Sequence, residues 1–242
     1  MITAALIPAA GRGQRMGLDV EKQFLQLGGK PLLAYTLAQF EATPDIDRIV
    51  VIVPQGRETF CYQEIVEPEG LRKVTHIIAG AATRQLSVMA GFRCLEDDVE
   101  IVVIHDGARP FVTSSLIRAA IDAAIQDGSA VAAIPESDTL KRVSGERTVI
   151  ETVDRRNLWR AQTPQAFRRS ILQRALAYAT QRNLDATDEA SLVESMSWPV
   201  RIFQGSRWNF KITSPDDLVL AELVLGQYIN RKPTGQSPEE QR

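Results

Sequence analysis

Apolar residues in this chain come in short unbroken runs separated by amphipathic stretches. Ile2 to Ile7 is the first run, ended by Pro8 and a cluster of glycines. "RIVVIV" at Arg48 to Val53, Val74 to Ile78, Ile101 to His105 and Ala130 to Ile134 repeat the pattern. Runs of this length, rich in β-branched residues, predict strands buried on both faces. Between them, helical spacing predicts helices over 31–41, 87–95 and 114–126, the last with a serine cap before it and Gly128 as its stop. This alternation predicts an α/β fold: a mostly parallel twisted sheet with helices on both faces. No internal repeat is visible.

The pattern breaks after Pro135. Glu136 to Arg156 is polar and charged, with weak alternation on either side of Gly145, which predicts a protruding β-hairpin with little core of its own. Such a hairpin is either a solvated flap or an arm that grips a partner. Beyond it, spacing predicts a helix over 168–182 and late strands at Val200 to Phe203 and Phe210 to Thr213. Ser214-Pro215-Asp216-Asp217 opens a final helix, with Ser as N-cap, Pro at the first position and Asp at the capping-box position. Residues 1–228 then read as a single domain including the 136–156 hairpin, and 229–242 as a polar, disordered tail.

Composition narrows the function. A net charge of -2 over 242 residues leaves no basic excess for nucleic acid. Cys61 and Cys94 are far apart and read as reduced thiols. No apolar run is long enough to span a bilayer, and the first one lacks the basic flank of a signal peptide, so the expected location is cytoplasmic.

"PAAGRGQRMG" at Pro8 to Gly17 resembles a phosphate loop. A P-loop needs Lys-Ser or Lys-Thr directly after its last glycine, and Leu18-Asp19 stand there instead. The dinucleotide fingerprint needs a third glycine where Met16 sits, and a second strand much sooner than Arg48. Charge supports a third reading. Arg12, Arg15, Lys22 and Lys30 follow the strand closely, and a triphosphate needs cations and Mg²⁺ where a dinucleotide is held mainly by backbone N–H groups. Arg15 and Lys22 are the expected functional cations, whereas Lys30 reads as solvated surface and Arg12 as a bystander.

"VVIHDGARPF" sets His105 and Asp106 at a strand's carboxyl end, where open α/β sheets bind ligands. Asp106 is either a Mg²⁺ ligand, directly or through water, or a cap on the turn before Gly107. His105 reads as a packed histidine, and Arg109 as a candidate for an anionic substrate group. "IIAGAATRQLS" is a strand followed by small residues, either a pocket for a flat base or an ordinary turn. No nucleophile–base pair stands out. An attacking phosphate is already ionised at neutral pH and needs no base, so a basic, histidine-poor site suits phosphate attack on a nucleoside triphosphate.

Eight segments carry a family resemblance: "PAAGRGQRMG", "KQF" at Lys22, "HDGARP", "DTLK" at Asp138, "TVDR" at Thr152, "QTPQAF" at Gln162, "TDEAS" at Thr187 and "NFKIT" at Asn209. In this order and over this span the chain resembles the 2-C-methyl-D-erythritol 4-phosphate cytidylyltransferases of the non-mevalonate isoprenoid pathway. The resemblance implies a Rossmann-like nucleotidyltransferase fold, CTP and a sugar-alcohol phosphate as substrates, pyrophosphate as product, Mg²⁺ as cofactor, and a homodimer gripped by the hairpin arm. Carried over by motif, Arg15, Lys22, Arg155 and Lys211 would be catalytic. Pro8, Ala9, Ala10 and Gly11, with Gly80, Ala81, Ala82 and Ser87, would bind the nucleotide. Asp106, Arg109, Thr139, Arg155, Thr187 and Lys211 would surround the acceptor, and Thr139 and Arg155 would serve the partner's site. Where the family usually has a second glycine and often an acidic residue, this chain has Ala81 and Ala82, which leaves backbone groups to recognise the base there. The alternative acceptor is a pentitol phosphate such as ribitol 5-phosphate, whose transferases share most of these motifs.

Overall fold

The computed structural model describes residues 1–11 and 21–230. Its frame is a seven-stranded sheet. In chain order the strands and helices begin with β1 (Ile2–Pro8), α1 (Leu32–Ala42), β2 (Arg48–Val53), β3 (Val74–Ala79), α2 (Arg84–Arg93), β4 (Val99–Ile104), α3 (Ser114–Asp127) and β5 (Ser129–Pro135). The hairpin strands β6 (Leu140–Val143) and β7 (Val149–Val153) follow, then β8 (Trp159–Arg168), α4 (Arg169–Arg182), α5 (Glu189–Ser195), β9 (Arg201–Gln204) and α6 (Pro215–Asn230). Across the sheet the order is β9-β5-β8-β4-β1-β2-β3. β8 runs antiparallel to both neighbours, while every other adjacent pair is parallel. The expected mostly parallel sheet is therefore present, with one reversed strand in its middle.

The strands bury both faces because successive side chains alternate. Ala5 and Ile7 of β1 pack with α1 and α3 on one side. Ala4 and Leu6 pack with α2, α4 and α5 on the other. A third, smaller cluster joins Leu27, Leu32 and Ala108 to Ile212 and to Ala221 and Leu225 of α6. It pins the segment carrying Lys211 against the body of the fold.

Several expected boundaries shift. α2 begins at Arg84 with Thr83 as its cap, so Ser87 lies in its first turn and not at its start. α3 is capped by Thr113 rather than by a serine, and closes on Gly128 at φ 86. The strand expected at Phe210 to Thr213 is absent: among the described residues this segment makes one backbone bond to the body, from Ile212 N to Ala108 O at 2.9 Å. β8 and α5 had no counterpart in the hydrophobic pattern. The capping box of α6 is reciprocal, since Ser214 Oγ accepts from Asp217 N at 3.3 Å while Asp217 Oδ2 accepts from Ser214 N at 2.9 Å. That helix runs to Asn230, past the expected domain end, and the rest of the expected tail lies outside the described residues. The hairpin is a separate two-stranded ladder, with Val143, Val149 and Ile150 each at least half exposed. Among the described residues no helix is long and apolar enough to cross a membrane.

Candidate active site

Three loops meet at the carboxyl end of the parallel strands. The loop after β1 is held to its neighbour by Ala9 N donating to Ile52 O at 2.7 Å. Gly107, after β4, donates to Pro8 O at 3.1 Å, and its carbonyl accepts from Thr36 Oγ1 at 3.1 Å. A Cβ at Gly107 would lie 2.9 Å from the Ala9 methyl carbon, so only glycine lets the two loops close. Gly80, after β3, abuts Ala10 in the same way, and a Cβ there would overlap the Ala10 methyl group. Gly80→Ala is therefore expected to cost about 1–3 kcal/mol of stability and, if this loop holds the nucleotide that the sequence resemblance implies, to raise its KM. Denaturant melts and steady-state kinetics check this, and parental values for both would show that the loops part freely.

These loops frame a cleft of about 440 Å³. It is lined by Pro8, Ala9, Ala10, Gly11, Ala81, Ala82 and Ser87, and by Lys22, Asp106 and Lys211 together with Gln23, Thr83, Arg84 and Ala108. Most candidate residues, drawn from five separate segments, thus share one cavity. The Gly80–Ser87 loop is closed by its own bonds. Ser87 Oγ donates to Thr83 O at 2.8 Å and accepts from Ala81 N at 2.9 Å. Gly80 supports the loop from behind rather than lining the cleft.

Asp106 is the acidic hub. Only 6% of the residue is exposed. Its carboxylate accepts from Lys211 Nζ at 3.0 Å, Arg109 Nε at 3.2 Å and Arg84 Nε at 3.4 Å. Burial by itself would raise its pKa, but the three cations, Lys211 foremost, hold the carboxyl well below the usual carboxylate range. Its backbone N donates to Thr163 Oγ1 at 3.0 Å. Lys22, on a 3₁₀ turn over Lys22–Phe24, reaches across and donates to Ile212 O at 3.3 Å, which brings both lysines to the same wall.

The remaining candidates lie elsewhere. Arg109 backs the cleft without lining it, bound to Asp106 and to Asn209 O at 2.8 Å. Thr187 is exposed in the bend before α5 and does not line the cavity. Thr139 and Arg155 are exposed at the two stems of the hairpin, where Arg155 Nη1 donates to Ser137 O. Arg15 lies outside the described residues, as does Arg12. Lys30 pairs with Glu69 at the surface, away from the cleft, in line with its solvated reading. His105 is fully buried between Thr163 Oγ1 at 3.1 Å and Arg109 O at 3.2 Å, and burial pushes its ring down to about 3. It is a neutral packed histidine.

Two groups escaped the sequence reading. Arg84 follows the small-residue loop directly, but that segment drew notice only for its lack of bulk. Glu189 is 1% exposed, and Arg84 Nη1 meets both its carboxylate oxygens at 2.8 Å. An acid placed just before the apolar Ala190, Leu192 and Val193 was the available signal for a buried charge that must be paired.

A mainly parallel sheet and a cation-rich cleft at its carboxyl edge, lined by Pro8 to Gly11 after the first strand, define the class: an α/β protein of nucleotidyltransferase type. The family model of 2-C-methyl-D-erythritol 4-phosphate cytidylyltransferase matches residues 3–227, and the chain belongs to that family. The 2-C-methyl-D-erythritol 4-phosphate cytidylyltransferase of Syntrophus aciditrophicus is 45% identical over 221 residues, covering 91% of this chain and 94% of the relative. That of Alkaliphilus metalliredigens is 41% identical over 222 residues, covering 92% of each. The solved structure of the Thermus thermophilus 2-C-methyl-D-erythritol 4-phosphate cytidylyltransferase superposes with a TM-score of 0.77 at 39% identity, covering 93% of this chain and 98% of that one. A 4-diphosphocytidyl-2C-methyl-D-erythritol synthase from Anaerococcus prevotii reaches a TM-score of 0.81 at 28% identity, covering 93% and 96%.

Proposed function

We propose that this chain is a cytoplasmic enzyme that transfers the cytidylyl group of CTP to 2-C-methyl-D-erythritol 4-phosphate. An acceptor phosphate oxygen attacks the α-phosphorus of CTP, the bond to the β-phosphate oxygen breaks, and pyrophosphate leaves. The observation that carries this reading, beside family membership, is the character of the cleft. Lys22, Arg84 and Lys211 line it against one carboxylate, and Ser87 spends its hydroxyl on its own loop. This is a site for gathering phosphates and neutralising the charge that develops between them, with no protein nucleophile required. Lys22 and Lys211 would bind the phosphoryl groups together with Arg15. The backbone of Pro8 to Gly11 and of Ala81 and Ala82 would hold the nucleotide.

Mg²⁺ is the cofactor the family implies, and the donor set accommodates it in one way. Asp106 is the only carboxylate lining the cleft among the described residues, so triphosphate oxygens and water would complete the shell. Among the described residues, Asp106 Oδ2 is taken by Lys211 and Arg109, while Oδ1 carries the longer contact to Arg84 and has capacity left. When bound, the ion would neutralise part of the triphosphate charge.

Thr139 and Arg155 are absent from their own protomer's cleft and sit on an exposed hairpin, which fits an arm that delivers them to a second subunit. The protein is expected to be a dimer by light scattering, and removing the side chains of Val149 and Ile150 should lower activity together with dimer content. A fully active monomer would refute the shared site. The test of the function itself is pyrophosphate release from CTP with each candidate acceptor. Release with methylerythritol phosphate is expected. Release with ribitol 5-phosphate alone would move the assignment, and release with neither would end the enzyme reading.

A further inference from the structure

We propose that Arg84 and Glu189 are paired positioning residues that lock the acceptor side of the cleft to its nucleotide loop. The proposal rests on the transferase reading for what the two sides bind. Arg84 is the first residue of α2, and its cap, Thr83, belongs to the loop closed by Ser87. Its guanidinium spans the cleft wall, with Nη1 on both oxygens of Glu189 and Nε on Asp106 Oδ1. One side chain therefore connects the nucleotide loop, the acidic hub and the start of α5.

Glu189 makes the connection rigid. Its carboxylate is buried at 1% exposure, and a buried charge that lost its Arg84 partner would be costly, so burial favours keeping the pair intact. The neighbouring Asp188 is fixed as well. Its Oδ1 caps α5 through Ser191 N at 3.0 Å, and its Oδ2 accepts from Gln165 Nε2 at 2.7 Å. Gln165 Oε1 in turn accepts from Ala190 N at 3.1 Å. Thr187 thus stands at the edge of a segment whose two following residues are tied to β8 and to Arg84. An arginine fork suits this role, because its donors lie in one plane at fixed angles and meet two acids simultaneously. A lysine would reach only one of them at a time.

Glu189→Gln removes the charge and keeps the shape. It is expected to lower kcat/KM for the acceptor about tenfold to a hundredfold, as displacement of a reacting group by about an ångström does, with the KM for CTP changed less than threefold. A purely structural role would reduce thermal stability and the active fraction but leave the acceptor KM of the folded enzyme unchanged. The double variant Arg84→Met with Glu189→Leu leaves no buried charge unpaired. It should melt near the parent and still show the acceptor defect. Parental kcat/KM in the folded double variant would overturn the proposal. Hydrogen exchange of residues 184–190 in the ligand-free protein gives a readout independent of substrate identity. Exchange there should quicken in Glu189→Gln, and parental exchange would also overturn the proposal. A parent enzyme inactive toward methylerythritol phosphate would instead count against the proposed function, and the pair would then be judged on exchange.

Discussion

Lys22→Ala is expected to slow turnover about a hundredfold or more while the protein folds normally. The lysine lines the cleft from a 3₁₀ turn that is secured without its ammonium: Phe24 N donates to Glu21 O at 2.9 Å and Leu25 N to Lys22 O at 3.2 Å. Truncating the side chain leaves those bonds in place and opens no cavity in the core. What is lost is a positive charge beside Lys211, where the triphosphate would build up negative charge as the α-phosphorus is attacked. A charge that acts mainly in the transition state shows itself in kcat rather than in substrate KM. Lys22→Arg should recover part of the rate, since it keeps the charge but changes its reach. Steady-state pyrophosphate release and a thermal melt separate the two effects. An unchanged kcat in Lys22→Ala would return this lysine to the solvated surface.

The fold was legible where burial is apolar and illegible where it is polar. Arg48–Val53 was readable to the residue because five of its six positions are buried hydrophobics. β8 was missed although six consecutive residues, Gln162 to Phe167, are buried at the centre of the sheet. Its interior positions include Gln162, Thr163 and Gln165, a composition that resembles a loop. They are tolerated because each is paired. Gln162 Nε2 donates to Ser206 O at 2.8 Å, Thr163 Oγ1 accepts from Asp106 N, and Gln165 bridges Asp188 and Ala190. One of these bonds, from Asp106 N to Thr163 Oγ1, holds the acidic hub, so the strand invisible to hydrophobic pattern braces the wall of the cleft. The reverse error occurred at Phe210 to Thr213. Ile212 is fully buried there, but it plugs the small cluster under α6 instead of joining the sheet.

Site residues followed the same division. Loop positions after β1, β3 and β4 were predictable from topology, because ligands gather at the carboxyl edge of such sheets. That Lys211 would meet Asp106 was not predictable from spacing, since 105 positions separate them (211 − 106), and the family motifs implied only that both would surround the acceptor. Arg84 and Glu189, likewise 105 positions apart, belong to quoted motifs but emerge as a pair only in three dimensions.

Asp106→Asn is expected to damage both stability and acceptor use, through one cause. The buried carboxylate balances Lys211, Arg109 and Arg84 at the cleft wall. Asparagine keeps the volume but supplies no charge, and its amide places donors against donors. Removing one partner of a buried ionic cluster typically costs about 3–5 kcal/mol. The three cations would then spread apart, carrying Lys211 away from its working position. The sign of the pH dependence follows from the direction of the shift. Because the folded pKa lies far below an unfolded value of about 3.9, the contribution of Asp106 is complete above that unfolded value. It is lost only as pH falls below it. The stability gap between parent and Asp106→Asn should therefore be constant from neutral pH down to about pH 5 and narrow only in stronger acid. Denaturant melts at several pH values read this directly. A gap that closed near pH 6 would mean that Asp106 titrates close to neutrality, and that the three cations do not hold its proton off.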